Sequence, residues 1–401
     1  MHRSDYSFLP LLLCVRRQIR GDCSTQLFNV VRSGIDWDLI WNSAAVHGLT
    51  PLLCKHIEEC AGHLLPRELR ERLAREFRAC ACHNLRLTAE LLRVLEGLGR
   101  NQVCAAPYKG PVLAELAYGD IALRDFCDLD LLVPQRQIAA ARQTLRGLGF
   151  EPELRDPPGP DCDRRIPGQY VYRDSAGIML ELHTELTLRY FPKTIEIDEI
   201  CDRRRAVNLA GRQVLTFSPE DTLLFLMVHG SKHIWERVGW IADLAALLER
   251  EPLDWGVLLY RANVWGVSRM VLIGAGLCGE LFDTNLPSEV QKELRSDYVA
   301  CHLIRGILQR LRSADEKLPG VLGRFAFRVR VRGKLVDGIR YAMRLAFKPT
   351  ERDRVLDSRF ELLDAALRPL RLARMYGWRA RVRAKPATNT SPKFSAGHPQ
   401  N

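Results

Sequence analysis

The segment Asp128-Leu129-Asp130-Leu131-Leu132-Val133, ended by Pro134, constrains this chain more than any other. Its leucines and valine belong in a core, so it reads as a strand. Side chains along a strand alternate between two faces, and residues two apart share one. Asp128 and Asp130 therefore point the same way, and Leu129 and Leu131 point the other. A fold that accepts this strand must cover the leucines and give the paired carboxylates a destination. A hard divalent cation is one. Magnesium takes oxygen ligands, commonly one or two carboxylates together with substrate phosphates. An isolated D-x-D also occurs as a solvated or turn-forming pair, so its surroundings decide.

Those surroundings alternate strands and helices, the pattern of a mixed α/β core with a small sheet. Val103 to Tyr108 reads as a short strand. Lys109-Gly110-Pro111 is a turn into a helix, Val112 to Ala117, which Tyr118-Gly119-Asp120 breaks. Residues 135–147 read as a helix closed by Gly147 and Gly149. Residues 150–154 and 169–174 suggest a hairpin around the loop 156–168, and Ile178 to Leu186 a further strand. This core occupies residues 101–217. Residues 1–100 read as helical. A long helix opens at Pro66 with Leu69, Leu73, Phe77, Leu91 and Leu95 near helical spacing, and Thr88 as the polar member of that stripe. Gly97 and Gly99 supply its stop signal. After Phe217, Ser218-Pro219-Glu220 starts a helix that carries His229 and runs through His233. Residues 218–383 form a C-terminal helical region, with basic faces from 254 to about 380. Residues 384–401 are poor in large apolar side chains and read as a disordered tail.

Several side chains near the paired carboxylates have chemistry to offer. Backbone N–H groups at a helix start hold phosphate oxygens, which suits Gly110. Lys109 adds a point charge, and Arg124 is placed to clamp phosphate. As ordinary surface groups, Lys109 would be a solvated turn lysine and Arg124 would pair with Asp120 or Asp125. In Ile178-Met179-Leu180-Glu181-Leu182-His183, the leucines share one face and Glu181 and His183 the other. Glu181 can ligate a metal or take a proton from an acceptor hydroxyl, unless it is an edge-strand acid facing water. His229 and His233 lie one helical turn apart. They lack the glutamate of a zinc-protease motif, and a polar face with Lys232 that contacts nucleotide or acceptor fits them better than zinc.

The net charge of +11 favours anionic partners. Much of the excess lies after Arg324, in runs such as Arg328-Val329-Arg330-Val331-Arg332 and Arg379-Ala380-Arg381-Val382-Arg383, far downstream of the catalytic candidates in the sequence. The 12 cysteines show no C-x-x-C pair and no disulfide framework, which points to free thiols in a reducing compartment. The apolar run Phe8 to Val15 is too short to cross a bilayer and reads as a core helix. A cytoplasmic protein is expected, with peripheral contact to an anionic membrane through the basic C-terminal region as an addition.

Taken together, these residues resemble the uncharacterised nucleotidyltransferase family of bacterial proteins within the polymerase-beta superfamily. The matching run is Tyr108-Lys109-Gly110-Pro111-Val112-Leu113-Ala114, Tyr118-Gly119-Asp120, Arg124 and the D-x-D-L-L-V strand. Glu181-Leu182-His183, His229, Lys232-His233, Trp235, Trp240 and Asp243-Leu244 extend it. Asp36-Trp37, His47-Gly48 and Arg368-Pro369-Leu370-Arg371-Leu372 are weaker matches. The resemblance implies an α+β nucleotidyltransferase core flanked by helices, and transfer of a nucleoside monophosphate from a nucleoside triphosphate with release of pyrophosphate. It departs from the superfamily where the usual glycine-serine is Gly110-Pro111.

The expected mechanism has Asp128, Asp130 and Glu181 holding one or two magnesium ions. Lys109, Gly110, Arg124, His183, Lys232 and His233 contact nucleotide, and an unidentified hydroxyl is the acceptor. Two alternatives stay open: a catalytically silent, membrane-peripheral scaffold in polysaccharide or natural-product assembly, and a toxin-like enzyme that modifies RNA. No RNA-binding motif with interleaved aromatics accompanies the charge, so nucleic acid is not favoured.

Overall fold

A computed structural model describes residues 11–15, 22–153, 164–166, 168–184, 197–313 and 319–347. The expected tail at 384–401, the basic run at 379–383, the match at 368–372, Phe8 and residues 156–163 and 167 of the 156–168 loop lie outside them. The chain divides into compact units at residues 1–339 and 340–401. Of the second unit, only residues 340–347 are described.

The N-terminal part is helical, as its periodicity indicates. It comprises α1 (Asp22–Arg32), α2 (Trp37–His47), α3 (Thr50–Ala61) and α4 (Arg67–Arg100). Asp36 caps α2 by accepting from the Leu39 N–H, and Gly48 closes it in a left-handed conformation. The 34-residue α4 runs straight through Gly97 and Gly99, the glycines expected to stop it. A β-carbon on Gly97 would stand 2.9 Å from Leu148, so this glycine serves packing instead. The polar stripe member Thr88 is buried and bonds to the carbonyl of Asn84, which is itself buried.

The central sheet follows. Its elements are β1 (Ala106–Pro107), α5 (Gly110–Tyr118), β2 (Asp128–Leu132), α6 (Ile138–Gly147), β3 (Glu151–Pro152), β4 (Arg164–Ile166), β5 (Gln169–Arg173) and β6 (Met179–His183). The strand order is β1-β2-β6-β5-β3, with β4 also on β5. Strands β2 and β6 are parallel and the other pairs antiparallel. Leu129, Leu131, Leu180 and Leu182 fill the core face, all fully buried or nearly so. Burying each leucine contributes roughly 1.5–3 kcal/mol, which fixes which way β2 and β6 face. The strand expected over 103–108 shrinks to two residues. The loop before it instead uses the Cys104 N–H to reach the Gln137 side chain.

Helix α7 (Ile197–Asp202) leads to a separate hairpin, β7 (Arg205–Leu209) and β8 (Arg212–Thr216). It turns on Ala210 and Gly211, both at positive φ. The Thr216 hydroxyl then donates to the Pro107 carbonyl and ties the hairpin to β1. The remaining elements are helical. They are α8 (Pro219–Lys232), α9 (Val238–Arg250), α10 (Trp255–Trp265), α11 (Ser268–Phe282), α12 (Ser288–Ser296), α13 (Tyr298–Arg312), α14 (Val321–Arg330) and α15 (Leu335–Phe347). Ser218 caps α8 and Pro219 opens it, as the sequence indicated. No helix among the described residues is long and apolar enough to cross a membrane.

Candidate active site

The carboxylates meet because β2 and β6 run side by side in one register. Asp130 pairs with Glu181, Asp128 with Met179 and Leu132 with His183. With Leu129, Leu131, Leu180 and Leu182 turned into the core, Asp128, Asp130, Glu181 and His183 all emerge on the opposite face, which the buried Leu132 shares. Asp130 is buried, and Asp128, Glu181 and His183 are half-buried. No ligand donor is supplied by a flexible loop.

Burying a carboxylate is costly unless charge and hydrogen bonds compensate. Three groups converge on Asp130 Oδ1: His183 Nε2 at 3.0 Å, Lys109 Nζ at 3.4 Å and the Tyr108 hydroxyl at 3.5 Å. Burial alone would raise the Asp130 carboxyl. Lys109 and the His183 hydrogen bond outweigh it and hold the group well below the usual carboxylate range. Asp128 goes the other way: burial, and then the Asp130 charge beside it, push it up to about 6. His183 Nε2 also lies 3.3 Å from Glu181 Oε2. Burial would lower this imidazole, but its bonds to Asp130 and Glu181 raise it above the ordinary value. The Gln169 side-chain amide donates to Glu181 Oε2 from the neighbouring β5.

Lys109 is the N-cap of α5 in extended conformation, and Gly110 follows at φ +54°. A β-carbon on Gly110 would lie 3.2 Å from the Asp128 carbonyl oxygen. Left-handed backbone and close approach both require glycine here. The turn thus lies against the strand that carries the carboxylates.

A further cation and two imidazoles come from the end of α8. Lys232 ends that helix, and its ammonium is lowered first by burial and then by the charge of Lys109, with Arg328 adding to it. Two lysines that oppose each other's charge favour an anion between them. His233 follows Lys232 and is pulled down to about 4 by burial, with Lys232 and Lys109 contributing. His229 is held well below its ordinary value as well, by burial and then by Lys109. The rings of His229, His233 and Trp240 form a cluster with centroids 4.6 to 5.4 Å apart.

Arg124 has another engagement. Its Nε donates to Asp243 Oδ2 at 3.0 Å, and the Tyr118 hydroxyl donates to Oδ1 at 3.0 Å. Burial would lower the guanidinium, and Asp243 more than restores it. Its partner is therefore neither Asp120 nor Asp125 but an acid of α9. The Arg124 carbonyl is held too, by the Asn84 side-chain amide at 2.8 Å.

Two contributors escaped the sequence reading. Gln169 left no sequence signal, because its place beside Glu181 depends on strand register. Asn84 did leave one: it lies four residues before Thr88 on the apolar stripe of α4. Among the described residues, one set of histidine and acidic side chains is arranged to hold a metal ion: Asp130, Glu181 and His183. Two carboxylates and an imidazole fit a divalent cation in donor chemistry.

Comparison with solved structures finds a lincosamide antibiotic adenylyltransferase, LnuA, bound to lincomycin. It is 18% identical over 34% of this chain and 84% of its own, with a TM-score of 0.27. The antibiotic-resistance factor ANT(2'')-Ia is 12% identical over 56% of this chain and 98% of its own, with a TM-score of 0.29. An antigenic nucleotidyltransferase-like protein from Paracoccidioides brasiliensis is 16% identical over 52% of this chain and 92% of its own, with a TM-score of 0.30. No curated protein matches the sequence. The profile of the uncharacterised nucleotidyltransferase family, in contrast, matches residues 33–283, a span that begins before α2, ends just past α11 and holds every site residue named above except Arg328. That is well over half of the chain, and the protein belongs to the uncharacterised nucleotidyltransferase family.

Proposed function

We propose that this enzyme transfers a nucleoside monophosphate from a nucleoside triphosphate to a hydroxyl acceptor on the open face of β2 and β6. One observation carries the reading: the parallel register sets Asp130 beside Glu181, with Asp128 on the same face and Lys109 and Lys232 close by. A divalent cation held by the carboxylates would neutralise charge on the triphosphate and on the attacking oxygen. Lys109 and Lys232 take the remaining phosphate charge, and Gly110 lets the backbone pass close to it. Glu181 accepts the proton of the acceptor hydroxyl. The acceptor oxygen bonds to the α-phosphorus, and the bond from that phosphorus to pyrophosphate breaks.

In this reading Arg124 does not clamp phosphate. Its contact with Asp243 holds the segment before β2 against α9 and so positions Asp128. Lys232, His233 and Trp240 form the wall nearest the nucleotide or acceptor.

The test is incubation of the protein with a divalent cation, each labelled nucleoside triphosphate in turn and cell extract, following pyrophosphate release and the destination of label. Asp130→Asn, confirmed as folded, should lose on the order of a thousandfold in rate, since several kcal/mol of charge stabilisation is removed. Near-normal turnover in that variant would remove Asp130 from the chemistry.

A further inference from the structure

Carboxylates alone would suit magnesium, but the donors gathered around Asp130 are not all oxygen. Ligand atoms of Asp130, Glu181 and His183 lie within 4.8 Å of one another, and Asp128 stands outside that group. We propose that His183 is a metal ligand, and that with Asp130 and Glu181 it makes a mixed nitrogen–oxygen site that takes a first-row transition divalent cation in preference to magnesium. This rests on the reading of the carboxylates as the metal centre for nucleotidyl transfer.

The distances carry the inference. Two donors at right angles on one ion, each about 2.1 Å from it, lie about 3 Å apart. His183 Nε2 already stands 3.0 Å from Asp130 Oδ1 and 3.3 Å from Glu181 Oε2. An ion can thus join all three with small side-chain shifts. The donors also sit on neighbouring strands, two of them paired in register and the third two residues along β6 on the same face. Sites on strands hold their geometry better than sites on loops.

The outer partners fit a ligating role. Gln169 holds Glu181, and Tyr108 and Lys109 hold Asp130. The Tyr108 ring meets the His183 imidazole edge to face at 5.7 Å, and Phe217 stacks on Tyr108 at 5.1 Å. Packing of this kind restricts the rotation of the imidazole, and the hydrogen bonds hold the carboxylates. Imidazole is a poor partner for magnesium, which demands oxygen, and a good one for transition divalent ions.

Manganese(II) is the probe, because its electron spin reports on bound nitrogen. The full-length protein, stripped of metal, is titrated with Mn2+ and followed by electron paramagnetic resonance. Spin-echo modulation from nitrogen is then recorded on samples with ordinary and with 15N-labelled histidine. The expected result is a nitrogen signal that changes with the histidine label. It should disappear in His183→Gln and His183→Ala, with Mn2+ affinity down about tenfold or more. Magnesium should displace Mn2+ from the parent protein only in large excess. Bound Mn2+ without histidine nitrogen, or with unchanged affinity in a folded His183→Gln, overturns the ligand assignment and leaves the carboxylate reading standing. No bound Mn2+, with or without nucleoside triphosphate, overturns both. If both variants fail to fold, a labelled parent protein that binds Mn2+ without a histidine-nitrogen signal still overturns the assignment.

Discussion

Gly230 and Trp235 compete for one volume: a β-carbon on Gly230 would lie 2.4 Å from the Trp235 ring, which is wholly buried. The chain between them ends α8 and turns back sharply, with Ile234 and Trp235 both at positive φ. Such a conformation is strained for a β-branched residue. Arg310 secures it by donating to the Ile234 and Trp235 carbonyls. Lys232 and His233 lie inside this turn. Gly230→Ala should therefore cost about 1–3 kcal/mol through overpacking, measured by urea unfolding. Undiminished stability would mean that the Trp235 ring has room to move.

The Arg124–Asp243 pair should be the most sensitive electrostatic contact near the site. Asp243→Ala leaves a buried guanidinium without its carboxylate, and breaking such a pair costs about 3–5 kcal/mol. Adding Arg124→Met should recover part of that loss. A double-mutant cycle in chemical denaturation measures it. Additive losses would show that the two side chains do not act as a pair.

Lys109→Met and Lys232→Met should each raise the KM for nucleoside triphosphate about tenfold or more, as expected for the loss of a charged hydrogen bond. Lys232→Met should affect kcat less than Lys109→Met does, because Lys109 also contacts Asp130. Steady-state kinetics separate the two parameters. An unchanged KM in Lys232→Met would take α8 out of the phosphate site.

Acid should destabilise the fold through its histidines. His47 accepts from the Val238 N–H, and burial, with Arg237 adding to it, pulls it down to about 4. Above about pH 6.5 it is neutral both folded and unfolded and contributes nothing. Between about 6.5 and about 4 the unfolded chain takes up a proton that the folded chain refuses, so stability falls as pH falls. His233 acts in the same direction over the same window. Asp128, raised to about 6, opposes them, because there the folded form protonates first. His47→Gln should flatten the loss seen in urea titrations from about pH 7 to about pH 4. A slope equal to that of the parent would mean that His47 does not drive it.

The parts of the site legible in the sequence were those set by local alternation. Asp128 with Asp130, and Glu181 with His183, share faces because their strands alternate with leucine. The Lys109-Gly110 turn was legible because glycine marks a backbone need. The registers between elements were not legible, since nothing local says that β2 lies parallel to β6 with Asp130 opposite Glu181. Arg124 shows the same limit: its partner Asp243 is far along the chain, whereas Asp120 and Asp125 are near. The β7–β8 hairpin was missed although Ala210-Gly211 sits between alternating segments, because alanine at positive φ is not a usual turn signal. Gly97 and Gly99 misled for the opposite reason: packing against Leu148 kept Gly97 inside a helix that local preference would have ended.

Helix α4 spans about 50 Å at the usual rise per residue, and near its middle the Asn84 amide reaches the carbonyls of both Ile121 and Arg124. Each residue of a helix turns the next by about 100°. One residue inserted between Leu73 and Asn84 would swing that amide away from the segment leading to Asp128, or else swing Leu73 out of the core. The helix therefore transmits phase as well as position. Along this stretch the chain can change its letters far more freely than its length.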